Sequence, residues 1–219
     1  MYKSNFNVFI IKNMETLKKL FGGVSKVKLM RLFLFNPSAP FEINEISLRT
    51  KTPLPVVKKE LSELSSSGLI KRKIFFRELN KKTESKEKIK KIKLSGWILN
   101  NSFAYLKPLQ ELLIDTALLK NEELMHSLKS TGNIKVVIVA GLFLKDFDNR
   151  VDLLVVGDKL KPGFLDRAIK LIESEVGKEI RYASLETADF KYRLSICDKL
   201  IRDIFDYPHQ VILDKTNLL

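Results

Sequence analysis

The stretch "LPVVKKELSELSSSGLIKRK", Leu54 to Lys73, changes its hydrophobic period once, and that change decides the fold of the first half of the chain. Val57, Leu61 and Leu64 recur at helical spacing and fall on one face. Pro53 stands just before them, suited to a first helical position, where an intrahelical N–H partner is lacking in any case. The spacing predicts a helix from Pro53 to about Ser67, ended by Gly68 as a C-cap. Lys58, Lys59 and Ser62 lie off the apolar stripe and face outward. After Gly68 the pattern becomes extended and basic, "LIKRKIFF".

Upstream, "SKVKLMRLFLFN" predicts a helix with Ser25 as its N-cap and Val27, Met30 and Leu34, joined by Leu29 and Phe33, toward a core. The two prolines of "NPSAP" stop it. A short helix follows, about Ile43 to Arg49, with Ile43, Ile46 and Leu48 inward. Before these, Leu17, Leu20 and Phe21 share a face of a helical segment opening at Met14, and residues 1–13 read as an extension outside the core. Downstream, "LIKRKIFF" and "IKKIKLSGWIL" read as two strands around a charged tip, Arg77 to Lys88. Trp97, near the hairpin's end, is expected to pack the following helix onto this domain.

Three helices with a tight turn between the second and third, then a hairpin, is the order of a winged helix-turn-helix over residues 14–100. Such a third helix fits the major groove of duplex DNA, and lysines around it meet phosphates. The candidate contacts are Arg49, Lys51, Thr52, Lys58, Lys59 and Ser62 at the helix, and Arg77, Lys81, Lys82, Lys86 and Lys88 on the hairpin. The helix start offers Thr52, Pro53, Pro55, Lys58 and Lys59 but no Arg, Asn or Gln, so no operator sequence follows from it.

Charge supports the same division. Net charge is +13, and residues 1–100 hold 22 Lys and Arg against 8 Asp and Glu, while residues 101–219 hold 17 against 18. A basic half joined to a neutral half points to a polyanion-binding domain attached to something else. The single cysteine, Cys197, excludes an internal disulfide and a zinc–cysteine cluster. It is expected to be a buried, inert thiol on a helix. No apolar run is long enough to span a bilayer, and no small-residue cleavage site follows "FNVFII", so a cytoplasmic protein is expected.

The residues "LPVVKKELSELSSSGLIKRK" resemble the recognition helix and first wing strand of ArsR/MarR-type bacterial regulators. That resemblance implies a DNA-binding regulator with Lys59 on the exposed face. The shortage of base-reading side chains on the helix itself points to weak monomer specificity, raised by dimer half-sites.

In the neutral half, residues 101–131 read as linker helices, "FAYLKPLQELLIDTALLK" and about Asn121 to Ser130. The first carries the stripe Leu109, Leu112, Leu113, Thr116 and Leu119 and has Pro108 in its first turn. Residues 132–219 alternate strand and helix: "IKVVIVAG", "VDLLVVG", "PGFLDRAIKLIESEVG", "EIRYASLE", "TADFKYRLSICDKLIRDIF" and "HQVILD". The expected fold class is therefore α+β in two domains, the second an α/β domain with a small mixed sheet.

"IKVVIVAGLFLKDFDNRVDLLVVGD" is similar to the opening of minimal nucleotidyltransferases of the DNA polymerase beta superfamily. In that family Gly-Ser ends a strand and holds triphosphate, Asp-x-Asp enters the next strand and binds metal, and a third carboxylate comes from a neighbouring strand. Here Gly141 matches the glycine, Leu142 replaces the serine, Arg150 replaces the first Asp, and Asp152 matches the second. Arg181 in "KEIRYA" falls at the third acid position, with Glu179 a weaker fit. Two arginines reverse the sign of a metal site, and Asp146 and Asp148 lie out of register with Asp152. The resemblance implies a catalytically inactive nucleotidyltransferase-like domain serving dimerisation, ligand sensing or partner binding. Arg150 and Arg181 near Gly141 offer an anion site, weighed against salt bridges to Asp152, Glu179 or Asp146. From Met14 on, "LKKLFGGVSKVKLMRLFLFNP", "KKELSELSSSGLIKRK", "VDLLVVGDKL" and "FKYRLSICDKLIRDIFD" together resemble a group of bacterial proteins labelled transcriptional regulators.

There is no Walker A loop and no G-x-G-x-x-G fingerprint, and His126 and His209 lack metal-ligand spacing, so no cofactor or metal is expected. The expected partner is double-stranded DNA, with a nucleotide or other anionic small molecule and a second copy of the chain as further candidates. A metal-dependent nucleotidyltransferase using Asp152, and an RNA-binding or scaffold protein, are the competing functions.

Overall fold

A computed structural model describes residues 16–83, 86–114, 119, 121–147 and 149–219, and describes side chains there except at 79–90. The protein is mixed α+β, and its described residues fall into two compact units, one ending at Ile114 and one running from Leu119 to Leu219. The proposed extension at residues 1–13 lies outside the described residues.

The first unit contains α1 (Val24–Phe35), α2 (Ile43–Thr50), α3 (Leu54–Ser66), β1 (Ile70–Thr83), β2 (Lys86–Leu99) and α4 (Leu106–Leu113). The order of three helices and a hairpin is the one expected. Its core joins Val27, Leu29, Met30, Leu32, Phe33 and Leu34 of α1 to Ile46 of α2 and the α3 stripe Val57, Leu61 and Leu64. Helix α1 is buried nearly all round, which a single-stripe reading of its sequence does not capture. Arg31 is fully buried there, and its Nε donates to the Leu113 carbonyl at 3.0 Å. That bond and the burial of Leu113 fix α4 to the first unit. Residues 101–131 are therefore divided between the units rather than forming one linker, and the stripe residue Thr116 lies outside the described residues.

Local expectations at helix ends need correction. Ser25 lies inside α1, whose N-cap is Gly23, with no side-chain cap bond. Pro53 is the N-cap of α3 rather than its first residue, and Pro55 occupies the first turn. Leu48 is 78% exposed, because it sits two residues from the buried Ile46 and so turns to the opposite side of α2. At the other end of α3 the glycine acts as expected. Gly68 takes φ +83°, Gly68 N–H donates to Ser65 O at 3.0 Å, and Leu69 N–H reaches back to Leu64 O at 3.1 Å. This closes the helix in a Schellman turn and starts β1. The strands pair antiparallel in unbroken register from Ile70↔Leu99 to Thr83↔Lys86, so most of the expected tip is strand. Trp97 is buried in the core, bridges Phe41 by backbone bonds, and lies under the Arg72 guanidinium at 3.9 Å.

The second unit contains α5 (Asn121–Leu128), β3 (Asn133–Ala140), a 3-10 turn (Gly141–Leu144), β4 (Leu153–Asp158), α6 (Pro162–Val176), β5 (Tyr182–Leu185), α7 (Thr187–Ser195), α8 (Lys199–Phe205) and β6 (His209–Asp214). The sheet order is β5-β4-β3-β6. β3 runs antiparallel to both neighbours, and β4 and β5 are parallel, joined through α6. Val136, Ile138, Leu154 and Val156 pack with Phe190 of α7 and with Ile201 and Ile204 of α8. The helix expected through residues 187–205 is two helices. Cys197 adopts φ +48°, and Asp198 caps α8 by accepting from Leu200 N–H at 2.8 Å. Cys197 is exposed, not buried, because it sits in this break. Among the described residues, no helix is long and apolar enough to cross a membrane.

Candidate nucleic-acid interface and the Asp152 cluster

Helix α3 buries Val57, Leu61 and Leu64, so the helical period turns Lys58, Lys59 and Ser62 outward, and all three are exposed. Lys51 is exposed in the turn before it, in the left-handed conformation that ends α2. Thr52, expected to contact DNA, is 4% exposed. It belongs to the turn itself: its N–H donates to Ser47 O at 3.1 Å, and its carbonyl accepts from Ser47 Oγ at 2.7 Å.

The two arginine candidates face an acid. Arg77 NH2 donates to Glu45 Oε2 at 2.6 Å, while Arg49 Nε lies 3.4 Å from Glu45 Oε1 and the Arg49 guanidinium sits 5.2 Å from the Phe41 ring centroid. Both are thereby positioned within the first unit and partly neutralised. Lys81, Lys82, Lys86 and Lys88 fall in the distal strands, where backbone pairing is described but side chains lie outside the described residues. The proximal strands add exposed cations that the candidate set omitted: Lys71, Arg72, Lys73, Lys91 and Lys93. The signals for them were the runs "KRK", Lys71 to Lys73, and "KKIK", Lys90 to Lys93; the period of two puts Arg72 on the opposite face of the hairpin from Lys71 and Lys73.

Behind α3, Lys26 of α1 bonds Glu63 and lies 3.5 Å from Glu60 Oε2, an atom that is buried without a hydrogen bond. The bond to Glu63 holds the Lys26 ammonium above its ordinary pKa and the Glu63 carboxyl below the usual range.

In the second unit, β4 and the turn after β3 bring Asp152 against Gly141 and Arg181. The Asp152 carboxylate is almost completely buried. Oδ1 accepts from Leu142 N–H at 2.8 Å and from Arg181 NH2 at 2.8 Å. Oδ2 accepts from the Arg181 backbone N–H at 2.8 Å and from Arg181 Nε at 3.0 Å. These four bonds occupy the acceptor directions of a carboxylate. The hydrogen bond from its guanidinium to Asp152 raises the pKa of Arg181 further. Gly141 takes φ +48°, and a Cβ there would stand 2.2 Å from Asp152 Oδ1. Arg150 does not join this cluster. It is largely exposed and lies 3.8 Å from Asp203 of α8. The two arginines expected to converge near Gly141 therefore separate: one locks Asp152, and the other pairs with a different acid. Asp148 lies outside the described residues. Among the described residues, no group of three His, Cys, Asp or Glu side chains is arranged to hold a metal ion.

Comparison with protein-family models, with curated proteins and with solved structures gave no match.

Proposed function

We propose that the protein is a DNA-binding transcriptional regulator in which the first unit acts as a winged helix and the second as an inactive nucleotidyltransferase-like domain. The observation that carries the reading is the outward face of α3, where Lys58, Lys59 and Ser62 are exposed beside Lys51 and next to a basic hairpin bearing Lys71, Lys73 and Lys93. A short helix presenting cations over an apolar core, followed by a two-stranded basic arm, suits a groove and its flanking phosphates. In this reading α3 enters the major groove, Lys58 and Lys59 meet phosphates or guanine edges, and the hairpin contacts the adjacent backbone. The protein acts in the cytoplasm, and a second copy supplies the other half-site.

The closed state of Asp152 supports the inactive reading of the second unit. A divalent ion needs free carboxylate oxygens, and both oxygens of Asp152 are engaged by backbone N–H groups and by a guanidinium. Within this proposal the second unit serves assembly, or binding of an anionic small molecule or protein partner. Nucleotide turnover with Mg²⁺ that disappears in Asp152→Asn would overturn the inactive reading.

The test of DNA binding is a fluorescence-anisotropy titration of the full chain against duplex DNA, with structured RNA as competitor. The expected result is duplex binding that weakens steeply with salt and resists the RNA. Displacement by equal concentrations of RNA would favour an RNA-binding protein instead.

A further inference from the structure

The hairpin carries a feature that phosphate contact does not use. Along one face of β1 the alternation places Arg72, Ile74 and Phe76, and across from them on β2 stand Trp97, Ser95 and Lys93. Ile74 is 58% exposed and Phe76 is 65% exposed. They are neighbours on one face of a two-stranded sheet, and the residue opposite Ile74 is only a serine. Two large apolar side chains left in water in this way form a patch rather than scattered exposure.

The surroundings of that patch are cationic. Arg72 lies on one side, held over the Trp97 ring, and Lys93 stands directly opposite Phe76. The next cross-strand pair, Glu78 and Lys91, is an ion pair at 3.3 Å and adds no net charge. Lys71 and Lys73 project from the other face of the same strand. Such a rim favours an anionic partner, and the excess of 22 Lys and Arg over 8 Asp and Glu in residues 1–100 favours a polyanion among these. Apolar side chains on a surface that meets a polyanion cannot serve the phosphates, so they must meet the parts of a nucleic acid that are apolar: the faces of bases.

We propose that this face of the hairpin is a stacking platform for an unpaired or unstacked DNA base, with Phe76 against the base, Ile74 beside it, and Lys93 and Arg72 on the neighbouring phosphates. The proposal rests on the nucleic-acid reading above and sharpens it. α3 engages paired DNA, while the hairpin face takes a base that has left the stack, either at a kinked step or in single-stranded DNA. Stacking on an aromatic ring tolerates any base because every base offers a π-face. This fits a protein whose α3 is poor in base-reading side chains.

The experiment uses the full chain and three DNA probes of one length, each carrying a single 2-aminopurine: duplex, duplex with a central mismatch bubble, and single strand. Stacking of Phe76 on the extruded base predicts tighter binding to bubble and single strand than the duplex term alone gives, with the 2-aminopurine signal changing on binding. Phe76→Ala should weaken bubble and single-strand binding about ten-fold, with the salt slope unchanged, because no charge is removed. Phe76→Trp should restore the affinity. Ile74→Ser serves as a second, independent variant with a smaller loss in the same direction. Both positions are exposed, and unchanged circular dichroism and melting would confirm that the variants fold.

Phe76→Ala binding all three probes as the wild type does would overturn the stacking platform while leaving duplex binding intact. A change in oligomeric state in Phe76→Ala, with nucleic-acid affinity unchanged, would assign the patch to protein contact and equally overturn it. Wild-type protein that binds none of the probes would remove the nucleic-acid reading itself, and the platform with it.

Discussion

Arg181 holds the buried carboxylate of Asp152 twice over, with its guanidinium on both oxygens and with its own backbone N–H on Oδ2. Arg181 is thus a clamp on Asp152.

The clamp has a stability consequence. Asp152→Asn replaces one acceptor oxygen by an NH2 group that faces donors, and leaves the guanidinium without its counter-charge. Only the carboxylate is buried, since the Arg181 side chain is 48% exposed and its charge stays solvated, so the loss is that of hydrogen bonds to a buried group, about 1–3 kcal/mol, read as a lower urea midpoint with an unchanged m-value. Arg150→Ala removes an exposed pair with Asp203 and should stay within about 0.5 kcal/mol of wild type. Similar destabilisation by the two substitutions would contradict the separation of the arginines.

Gly141 belongs to the same cluster. Gly141→Ala must place a Cβ where Asp152 Oδ1 already stands, in a backbone conformation that side chains rarely adopt. It should destabilise by more than about 1 kcal/mol. Gly163→Ala, where a Cβ meets nothing within 4 Å, should be neutral or slightly stabilising. A melting-temperature comparison of the two variants checks the contrast.

Lys26 ties α1 to two acids of α3. Lys26→Ala leaves Glu60 buried without its cation and should cost about 1 kcal/mol or more. The pH dependence has a definite sign. Lys26 lowers the pKa of Glu63, so the stability this pair supplies is present above the ordinary glutamate range and is lost as pH falls through the lowered value. The raised pKa of Lys26 extends the same contribution to the alkaline side, where it is lost as pH rises through the raised value. Urea midpoints measured from neutral to acid pH should fall less steeply in Lys26→Ala than in wild type, and parallel curves would contradict the assignment.

What could be read in the sequence was what local period and local capping dictate. The stripe Val57, Leu61 and Leu64, the stop at Gly68, and the strands "VVIVA" and "LLVVG" each announce themselves within a few residues. What stayed hidden depends on distant partners. Nothing near Arg31 in sequence marks it as buried; Leu113, far along the chain, supplies the carbonyl to which its Nε donates. Thr52 reads as a groove contact until Ser47 folds it into the turn. The break at Cys197 was locally encoded, since Asp198 is a good N-cap ahead of "KLIRDIF", but the continuous apolar period masked it. At the candidate site, the resemblance put Gly141, Arg150, Asp152 and Arg181 in one group, with salt bridges to Asp152, Glu179 or Asp146 as the alternative to an anion site. Only the side-chain geometry separates Arg150 from the others and fills every acceptor of Asp152.

Lys58 and Lys59 face DNA in the function proposed above. The most direct measurement of this is the salt dependence of duplex affinity for wild type and for the variant carrying both Lys58→Ala and Lys59→Ala. The account predicts weaker binding and a slope of log K against log salt that is shallower by about two phosphate contacts, roughly 1.8 on a B-DNA scale. Unchanged affinity and slope, in a variant that melts like the wild type, would contradict it.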